Sequence, residues 1–287
     1  MEYFSPRNLD DTFSLLNKYG EDAIPLAGST FFMSHREELF DEVAAVINIK
    51  NLGLDFLRKD AGYLKIGATT TLTQVMNSDL INKGAWKVIS ETVKEIRINE
   101  IRNMGTVGGE VCICAELDLP TTLMALDAQA VILSAKGEKA VSLKDLYHGY
   151  LKNTLNIGEI VSEVRVPELP SDTGAGFYKF ERIAVDMPIV NATACITLGA
   201  DKRCKGVKIV VGAATAIPLR AESAEKLLVN KSLNEKLIQE AAEATVDIQC
   251  MGDFRASAEL RSTWVRCAVE EVLKKACNQA KGGDPLC

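Results

Sequence analysis

The chain has 287 residues, 47% of them hydrophobic, which is enough apolar material for two or three compact domains with buried cores. Its formal net charge of −6 at pH 7 argues against nucleic acid or an anionic membrane as the main partner, since both attract basic surfaces. No apolar run approaches the roughly 18 residues of a membrane span, and no secretory signal pattern opens the sequence. We therefore expect a cytoplasmic protein without a membrane span.

Strand and helix patterns alternate along the first part of the chain. A capped helix is expected over 10–20, and the apolar, β-branched run 43–49 predicts a buried strand. A second strand is expected at 64–68, followed by a helix that a threonine caps. Apolar residues at helical spacing predict another helix over 86–96. This alternation favours α/β units.

The second part begins with a predicted hairpin and ends at a predicted boundary. A strand is expected at 130–134, with Gly137 in the turn and the return strand at 140–143. A further strand at 160–166 closes this unit. The following segment, 167–174, is rich in proline, glycine and small polar residues, which indicates a domain boundary.

The last third has a different order of elements. Strand-like runs at 177–183, 191–199 and 206–213 precede three helical segments, which is typical of an α+β domain. The final helix is predicted most clearly, because apolar residues from Val265 to Ala276 follow the spacing of one buried helical stripe.

The cysteines and histidines do not form a recognisable metal or catalytic pattern. The eight cysteines contain no C-x-x-C pair, so reduced thiols are expected, with Cys287 in a frayed tail. Cys112 and Cys114 are interpreted as small buried side chains on an extended segment, because zinc and iron–sulfur sites need more ligands. His35 and His148 belong to no recognisable catalytic constellation in sequence, so triad chemistry is not expected. We expect no catalytic residue and no metal site in this chain.

Two loops of small residues are the candidate ligand-binding segments. Residues 106–109, Thr-Val-Gly-Gly, combine a hydroxyl with paired glycines, which permit positive φ and let a phosphate or a flavin edge approach the backbone. Residues 25–30, Pro-Leu-Ala-Gly-Ser-Thr, follow a short apolar run. Asp118 precedes Leu119 and Pro120 and is predicted to cap a helix. Taken alone, the Thr-Val-Gly-Gly motif is more typical of a structural turn than of a binding loop.

These motifs resemble those of the FAD-binding subunits of the molybdenum hydroxylases, the family of bacterial xanthine dehydrogenases, aerobic CO dehydrogenases and nicotinate dehydrogenase. The family's first flavin loop, A-G-G-T-D, is matched by 27–31, and its second, I-R-N-x-G-T-x-G-G-N, by 101–110. Its A-D-L-P segment is matched by 117–120. Further matches follow in chain order at 158–161, at 166–167, at 177–179 with Arg182 and Asp186, and at 253–259. The resemblance therefore covers nearly the whole chain.

The resemblance implies an α+β chain in two parts. The first is a two-part α/β FAD-binding domain of the PCMH type, which is vanillyl-alcohol-oxidase-like, at 1–170 with subdomains of about 1–58 and 59–170. The second is an α+β domain of the CO dehydrogenase flavoprotein C-terminal type at 175–287. Neither loop matches the Rossmann fingerprint G-x-G-x-x-G, which disfavours a dinucleotide-binding domain of that kind.

The resemblance also implies which residues bind FAD. The pyrophosphate is expected to bind N–H groups of 27–30 and 106–109. The ring system is expected to pack near Ile96, Ile101 and Val161. Lys179 is expected near the flavin, where a cation would stabilise the reduced form. The complete expected set is Leu26, Ala27, Gly28, Ser29, Thr30, Phe31, Ile96, Ile101, Thr106, Gly108, Gly109, Glu110, Asp118, Ile160, Val161 and Lys179.

Three positions depart from the family pattern. Ser29 replaces a glycine, which is costly for serine if φ is positive there. Glu110 replaces an asparagine and brings a carboxylate close to the expected flavin. The segment between Glu110 and Asp118 is shorter than usual and contains Cys112 and Cys114.

The function implied by the resemblance is electron transfer within a complex. A molybdopterin-binding large subunit would hydroxylate the substrate, and a small subunit with [2Fe–2S] clusters would pass on the electrons. FAD in this chain would deliver them to NAD+ or another acceptor, and the expected complex is a xanthine- or purine-dehydrogenase-like enzyme. Two alternatives stay open. One is a self-contained FAD reductase of related fold, such as the UDP-N-acetylenolpyruvoylglucosamine reductase type, which needs its own acid. The other is a docking subunit that has lost FAD.

Overall fold

The structure is a computed structural model that describes residues 1–282. The expected frayed tail with Cys287, and the end of the predicted C-terminal domain, lie in 283–287 and outside the described residues. Three sheets form successive layers along the chain.

The first layer is a three-stranded parallel sheet in the order β1-β3-β2. Its strands are β1 (Glu2–Phe4), β2 (Ala23–Leu26) and β3 (Ala45–Asn48), and its helices are α1 (Leu9–Tyr19), α2 (Thr30–Ser34) and α3 (Arg36–Leu39). The predicted first helix is confirmed, but the Asn8 side chain caps it by accepting from the Asp11 N–H. Phe13 and Leu16 of α1 pack on Ile47, which closes this small core.

The second layer is a five-stranded sheet in the order β4-β5-β10-β6-β7, with antiparallel neighbours throughout. Its strands are β4 (Leu57–Asp60), β5 (Tyr63–Gly67), β6 (Gln129–Ser134), β7 (Gly137–Ser142) and β10 (Ile160–Pro167). The parallel α/β pattern expected from the alternation therefore applies to the first layer only. The predicted hairpin at Gly137 is confirmed.

Helices and one short hairpin cover the second sheet. They are α4 (Leu72–Met76), α5 (Lys87–Lys94), α6 (Asn99–Met104), α7 (Val107–Ile113), α8 (Leu119–Ala125), α9 (Leu143–Leu146), β8 (Tyr147–Gly149) and β9 (Lys152–Asn153). The predicted threonine cap is confirmed, because Thr71 and Gln74 form a capping box at the start of α4.

The third layer is a four-stranded antiparallel sheet that α12 covers. Its elements are β11 (Thr173–Phe180), β12 (Val190–Leu198), β13 (Cys204–Gly212), β14 (Leu219–Arg220), α10 (Glu222–Leu228), α11 (Glu235–Glu243) and α12 (Ala258–Ala280). The predicted stripe of α12 is buried against the sheet, with Val265, Val269 and Val272 at most 1% exposed. The expected α+β class is confirmed.

The second and third layers share buried contacts. Ala175, Phe177 and Cys195 of the third sheet belong to the same hydrophobic core as the second layer. Buried hydroxyls also connect the layers, since Thr122 lies 2.7 Å from Thr92 and 2.9 Å from Thr193. Within residues 1–282, no helix is both long enough and apolar enough to cross a bilayer.

Candidate functional site

A cavity of about 690 Å³ opens where the three layers meet, a size within the usual range of ligand sites. It is bordered by the β2–α2 loop, by the α6–α7 region, by the start of β10 and by the loop after β11. The structure places every expected site residue around it: Leu26, Ala27, Gly28, Ser29, Thr30, Phe31, Ile96, Ile101, Thr106, Gly108, Gly109, Glu110, Asp118, Ile160, Val161 and Lys179.

The first loop, residues 27–31, lines this cavity with backbone donors that the described residues do not use. Among the described residues, the N–H groups of 27–31 have no hydrogen-bond acceptor, whereas the N–H of Met33 already donates to the Ser29 carbonyl at 2.9 Å. Gly28 packs directly against the backbone of Met104 and Gly105, so a Cβ at this position would clash with the Met104 carbonyl. The chain needs glycine here for the close contact between the two loops.

Ser29 adopts the left-handed conformation, with φ 64° and ψ −2°. It is the residue before α2, yet its side chain does not cap the helix. Positive φ is unfavourable for a residue with a Cβ other than asparagine or aspartate. The departure from glycine at this position therefore has a conformational cost.

The second loop, residues 106–109, begins α7 and uses most of its donors internally. The N–H groups of Val107 and Gly108 donate to the carbonyls of Thr70 (3.0 Å) and Ala68 (2.8 Å). The Gly109 N–H donates to the Thr106 hydroxyl at 3.2 Å, which caps the helix. The expectation that all N–H groups of 106–109 are available to a pyrophosphate is therefore wrong for these three residues.

Of the paired glycines, Gly108 is required for close packing. Neither Gly108 nor Gly109 has a positive φ, in contrast to the expectation from sequence. An ideal Cβ on Gly108 would lie 2.7 Å from the Ala68 carbonyl oxygen, whereas one on Gly109 would meet only the Thr106 hydroxyl, at 3.2 Å. Gly108 thus lets α7 approach the end of β5.

Lys179 is held by two carboxylates on the far wall of the cavity. Its ammonium lies 3.1 Å from Asp118 Oδ2 and 3.0 Å from Glu181 Oε2, and its side chain is 4% exposed. Burial alone would lower the pKa of Lys179, but Asp118 and Glu181 outweigh it and raise that pKa above its ordinary value. The expected cation near the cofactor is present, and its charge is already compensated inside the protein.

Asp118 is oriented by this ion pair and does not cap α8. Its Oδ1 accepts a hydrogen bond of 2.9 Å from the Asn191 amide, and no side-chain cap bond forms at the start of the helix. The helix begins directly after Asp118 as predicted, but the predicted cap is wrong, because Lys179 and Asn191 take both carboxylate oxygens.

Glu110 is the carboxyl group of this site that lacks a full set of partners. Its Oε2 is buried and has no hydrogen-bond partner among the described residues. Burial raises the pKa of Glu110 to about 8, and repulsion from Asp118 acts in the same direction. The Leu119 backbone N–H and the Lys179 charge act against this shift.

Cys112 and Cys114 lie beside this group, but the expected extended segment is wrong. Cys112 is part of α7, and Cys114 ends that helix in a left-handed conformation with φ 55°. Burial raises the pKa of each thiol to about 12, so both are protonated at neutral pH. Across residues 1–282, no group of three His, Cys, Asp or Glu side chains could hold a metal ion.

Sequence reasoning missed part of the cavity wall. The additional lining residues come mainly from the loop after β11 and from the turn before α6, and they include Ile98, Asn153, Leu155, Val185, Asp186, Met187 and Pro188. None of these residues belongs to a recognisable sequence motif, because the position of a loop that covers a cavity depends on the strands on either side of it. Asp186 belonged to the matched segment around Lys179 and was the available signal.

Two family models match the chain. The model described as "FAD binding domain in molybdopterin dehydrogenase" matches residues 1–169, and the one described as "CO dehydrogenase flavoprotein C-terminal domain" matches residues 175–276.

Individual proteins match over nearly their full length. The 6-hydroxypseudooxynicotine dehydrogenase complex subunit alpha of Paenarthrobacter nicotinovorans is 30% identical, with 98% of this chain and 95% of the relative covered. The xanthine dehydrogenase FAD-binding subunit of Escherichia coli O157:H7 is 26% identical, with 98% and 97% covered. Among solved structures, a chain of the reconstituted CO dehydrogenase from Oligotropha carboxidovorans superposes with a TM-score of 0.92 at 26% identity, covering 97% of this chain and 98% of that chain.

Proposed function

Because this chain belongs to the FAD-binding subunits of the molybdenum hydroxylase family, we propose that the cavity between its three layers holds FAD and that this FAD transfers electrons for a multi-subunit complex. The chain is a subunit of an FAD-dependent oxidoreductase. Its FAD supplies the two-electron chemistry, and the protein supplies binding, orientation and electrostatics.

The observation that carries this proposal is the row of free N–H groups in 27–31 at the edge of the cavity. Successive backbone donors around a residue in the left-handed conformation form a concave site for anions. Ser29 supplies that conformation. A pyrophosphate is the anionic group of FAD, so these donors fit its diphosphate, and the glycine at 28 keeps the loop close to the second loop.

The remaining walls fit the less polar parts of FAD. The lining surface contains Ile96, Ile101 and Val161, the aliphatic side chains expected near the ring system, which would exclude water from it. No residue of this chain is assigned acid or base work in the electron transfer. Lys179 orders the far wall through its ion pairs with Asp118 and Glu181.

The route of electrons extends beyond this chain. In this proposal, a large subunit with a molybdopterin cofactor oxidises the substrate, a small subunit with [2Fe–2S] clusters passes the electrons on, and FAD delivers them to NAD+ or another small acceptor. Support comes from the family of molybdopterin dehydrogenases and from relatives that are named as subunits of dehydrogenases.

The finer proposal is a xanthine- or purine-oxidising complex. It is supported by the likeness to the xanthine dehydrogenase FAD-binding subunit. Two other similar proteins point to competing substrates. The subunit of 6-hydroxypseudooxynicotine dehydrogenase, at 30% identity, supports a pseudooxynicotine, and the CO dehydrogenase chain, at 26%, supports CO. Reduction of the purified complex by xanthine, with no reduction by a pseudooxynicotine or by CO, is the expected result, and the reverse pattern would replace this substrate assignment.

The visible spectrum of the full-length purified chain tests the core of the proposal. We expect a flavin spectrum, release of FAD on denaturation, and bleaching by NADH under anaerobic conditions. A flavin that NADH does not bleach would keep the FAD assignment and remove NAD+ as acceptor. Folded protein that stays colourless with excess FAD would overturn the proposal and favour a docking subunit without cofactor.

A further inference from the structure

Glu110 lines the cavity with an acidic group that the protein itself does not satisfy. Its Oε2 is shielded from solvent and unpartnered within the described residues, although the side chain borders the proposed FAD cavity. A buried polar atom without a partner costs free energy, and it costs more on an ionised carboxylate than on a neutral acid, so this environment favours the protonated form of the side chain that lines the cavity.

The charged groups around Glu110 leave it no cation. Asp118, at the start of α8, repels its negative charge, and Lys179 of β11 is already paired with Asp118 and with Glu181. If Glu110 were ionised, three carboxylates, those of Glu110, Asp118 and Glu181, would surround the single ammonium of Lys179. The protein therefore favours Glu110 with a proton on it.

The other elements packed here also supply no positive charge. Tyr147 of β8 has a buried hydroxyl without a partner in residues 1–282, and burial together with Cys114, Cys112 and Glu110 raises its pKa well above its ordinary value. Cys112 and Cys114, on the same helix as Glu110, are protonated thiols. The Leu119 backbone N–H is the one neutral donor that acts on the carboxyl group.

We propose that Glu110 stays a neutral carboxylic acid that donates its O–H to bound FAD, so that deprotonation of this one residue weakens FAD binding. The inference rests on the proposed function. FAD is rich in acceptors, namely phosphate oxygens, ribityl oxygens, ring carbonyls and ring nitrogens. A neutral acid adds a donor to them, whereas a carboxylate would bring a negative charge beside an anionic ligand.

The direction of the pH effect follows from burial, which raises the pKa of Glu110 to about 8. Below this pH the residue donates, and above it each further pH unit weakens binding about tenfold, because one proton is then taken up with the ligand. Glu159, which also lines the cavity, differs in this respect. Burial raises its pKa, but hydrogen bonds from Asn156 and Lys139 outweigh burial and lower that pKa overall.

The experiment is titration of the full-length apoprotein with FAD between pH 6.5 and 9.5, followed by flavin fluorescence. We expect wild-type affinity to fall about tenfold per pH unit at the alkaline end. Glu110→Gln, which keeps a hydrogen-bond donor without the titration, should bind with nearly constant affinity, and the matched variant Glu159→Gln should keep the wild-type slope. A flat wild-type profile, or a slope that persists in Glu110→Gln, would overturn the inference.

A second readout does not require a soluble Gln variant. Difference infrared spectra of the wild-type apoprotein between pH 7 and 9.5 should show the loss of one protonated carboxyl band, and Glu110→Asn should lack this change. A wild-type spectrum in which no protonated carboxyl band is lost between pH 7 and 9.5 would overturn the inference without any FAD. If the wild-type chain binds no FAD even at pH 6.5, the proposed function itself fails, and the donor role fails with it.

Discussion

The two loops that border the cavity look alike in sequence and differ in structure. Residues 27–31 and 106–110 both combine glycine with hydroxyl side chains. In the first loop the N–H groups have no acceptor among the described residues, whereas in the second four of them donate to the carbonyls of Thr70, Ala68 and Thr106 and to the Thr106 hydroxyl. A glycine-rich segment is therefore an anion site only where its donors are free, and its glycines can equally serve close packing.

The largest effect should separate the two glycines of the second loop. We expect Gly108→Ala to lower the free energy of unfolding by about 3 kcal/mol, because its Cβ would lie 2.7 Å from the Ala68 carbonyl oxygen. Gly109→Ala, one residue along the same helix, should cost less than about 1 kcal/mol or even stabilise, since alanine favours helix. Urea unfolding measures both. Equal losses in the two variants would contradict the packing role of Gly108.

The first loop should respond through FAD affinity. Ala27→Asp places a carboxylate among the free N–H groups, which would take up these donors and repel a pyrophosphate. We expect FAD to bind roughly thirtyfold more weakly, or about 2 kcal/mol, with little change in melting temperature. Ala61→Asp, in the exposed β4–β5 turn outside the cavity, is the control and should bind FAD like wild type. Unchanged affinity of Ala27→Asp would remove the anion-binding role from this loop.

The carboxyl group at the end of the second loop should make the apoprotein sensitive to alkali. Burial raises the pKa of Glu110 from 4.5 to about 8 in the folded state. The folded state therefore holds a proton that the unfolded state releases above pH 4.5, so stability falls as pH rises from about 5 to 8 and levels off beyond. Glu110→Gln should be more stable than wild type at pH 8.5 and similar to it at pH 4.5. Melting curves at both pH values test this, and a constant difference would contradict it.

The smallest effect concerns the backbone of the first loop. Ser29→Gly relieves a left-handed conformation at φ 64° and should stabilise the protein by about 0.5 to 1 kcal/mol. Ala244→Gly, at φ −66°, is the opposite control and should destabilise by a similar amount. Thermal unfolding compares them. Destabilisation by Ser29→Gly would mean that the serine side chain contributes more than the strain that it imposes.

The sequence predicted those structural elements that depend on residues close together in the chain. The capping box at Thr71 and the buried stripe of α12 depend on residues three or four positions apart, and both are confirmed. The pairing of Lys179 with Asp118 and Glu181 joins residues far apart in the chain, and so does the contact of Gly108 with Ala68. Sequence periodicity contains no information about such contacts, so the charge state and the free donors of the site became visible only in the structure.

The continuous core between the second and third layers has a consequence for how the molecule unfolds. Phe177 and Cys195 pack in the same cluster as the second sheet, and the Thr92, Thr122 and Thr193 hydroxyls form direct hydrogen bonds between the two parts. Separating the predicted domains would expose this surface and leave those hydroxyls unpaired. The two parts should therefore melt in a single calorimetric transition, and neither is a suitable independent module for fusion or domain exchange.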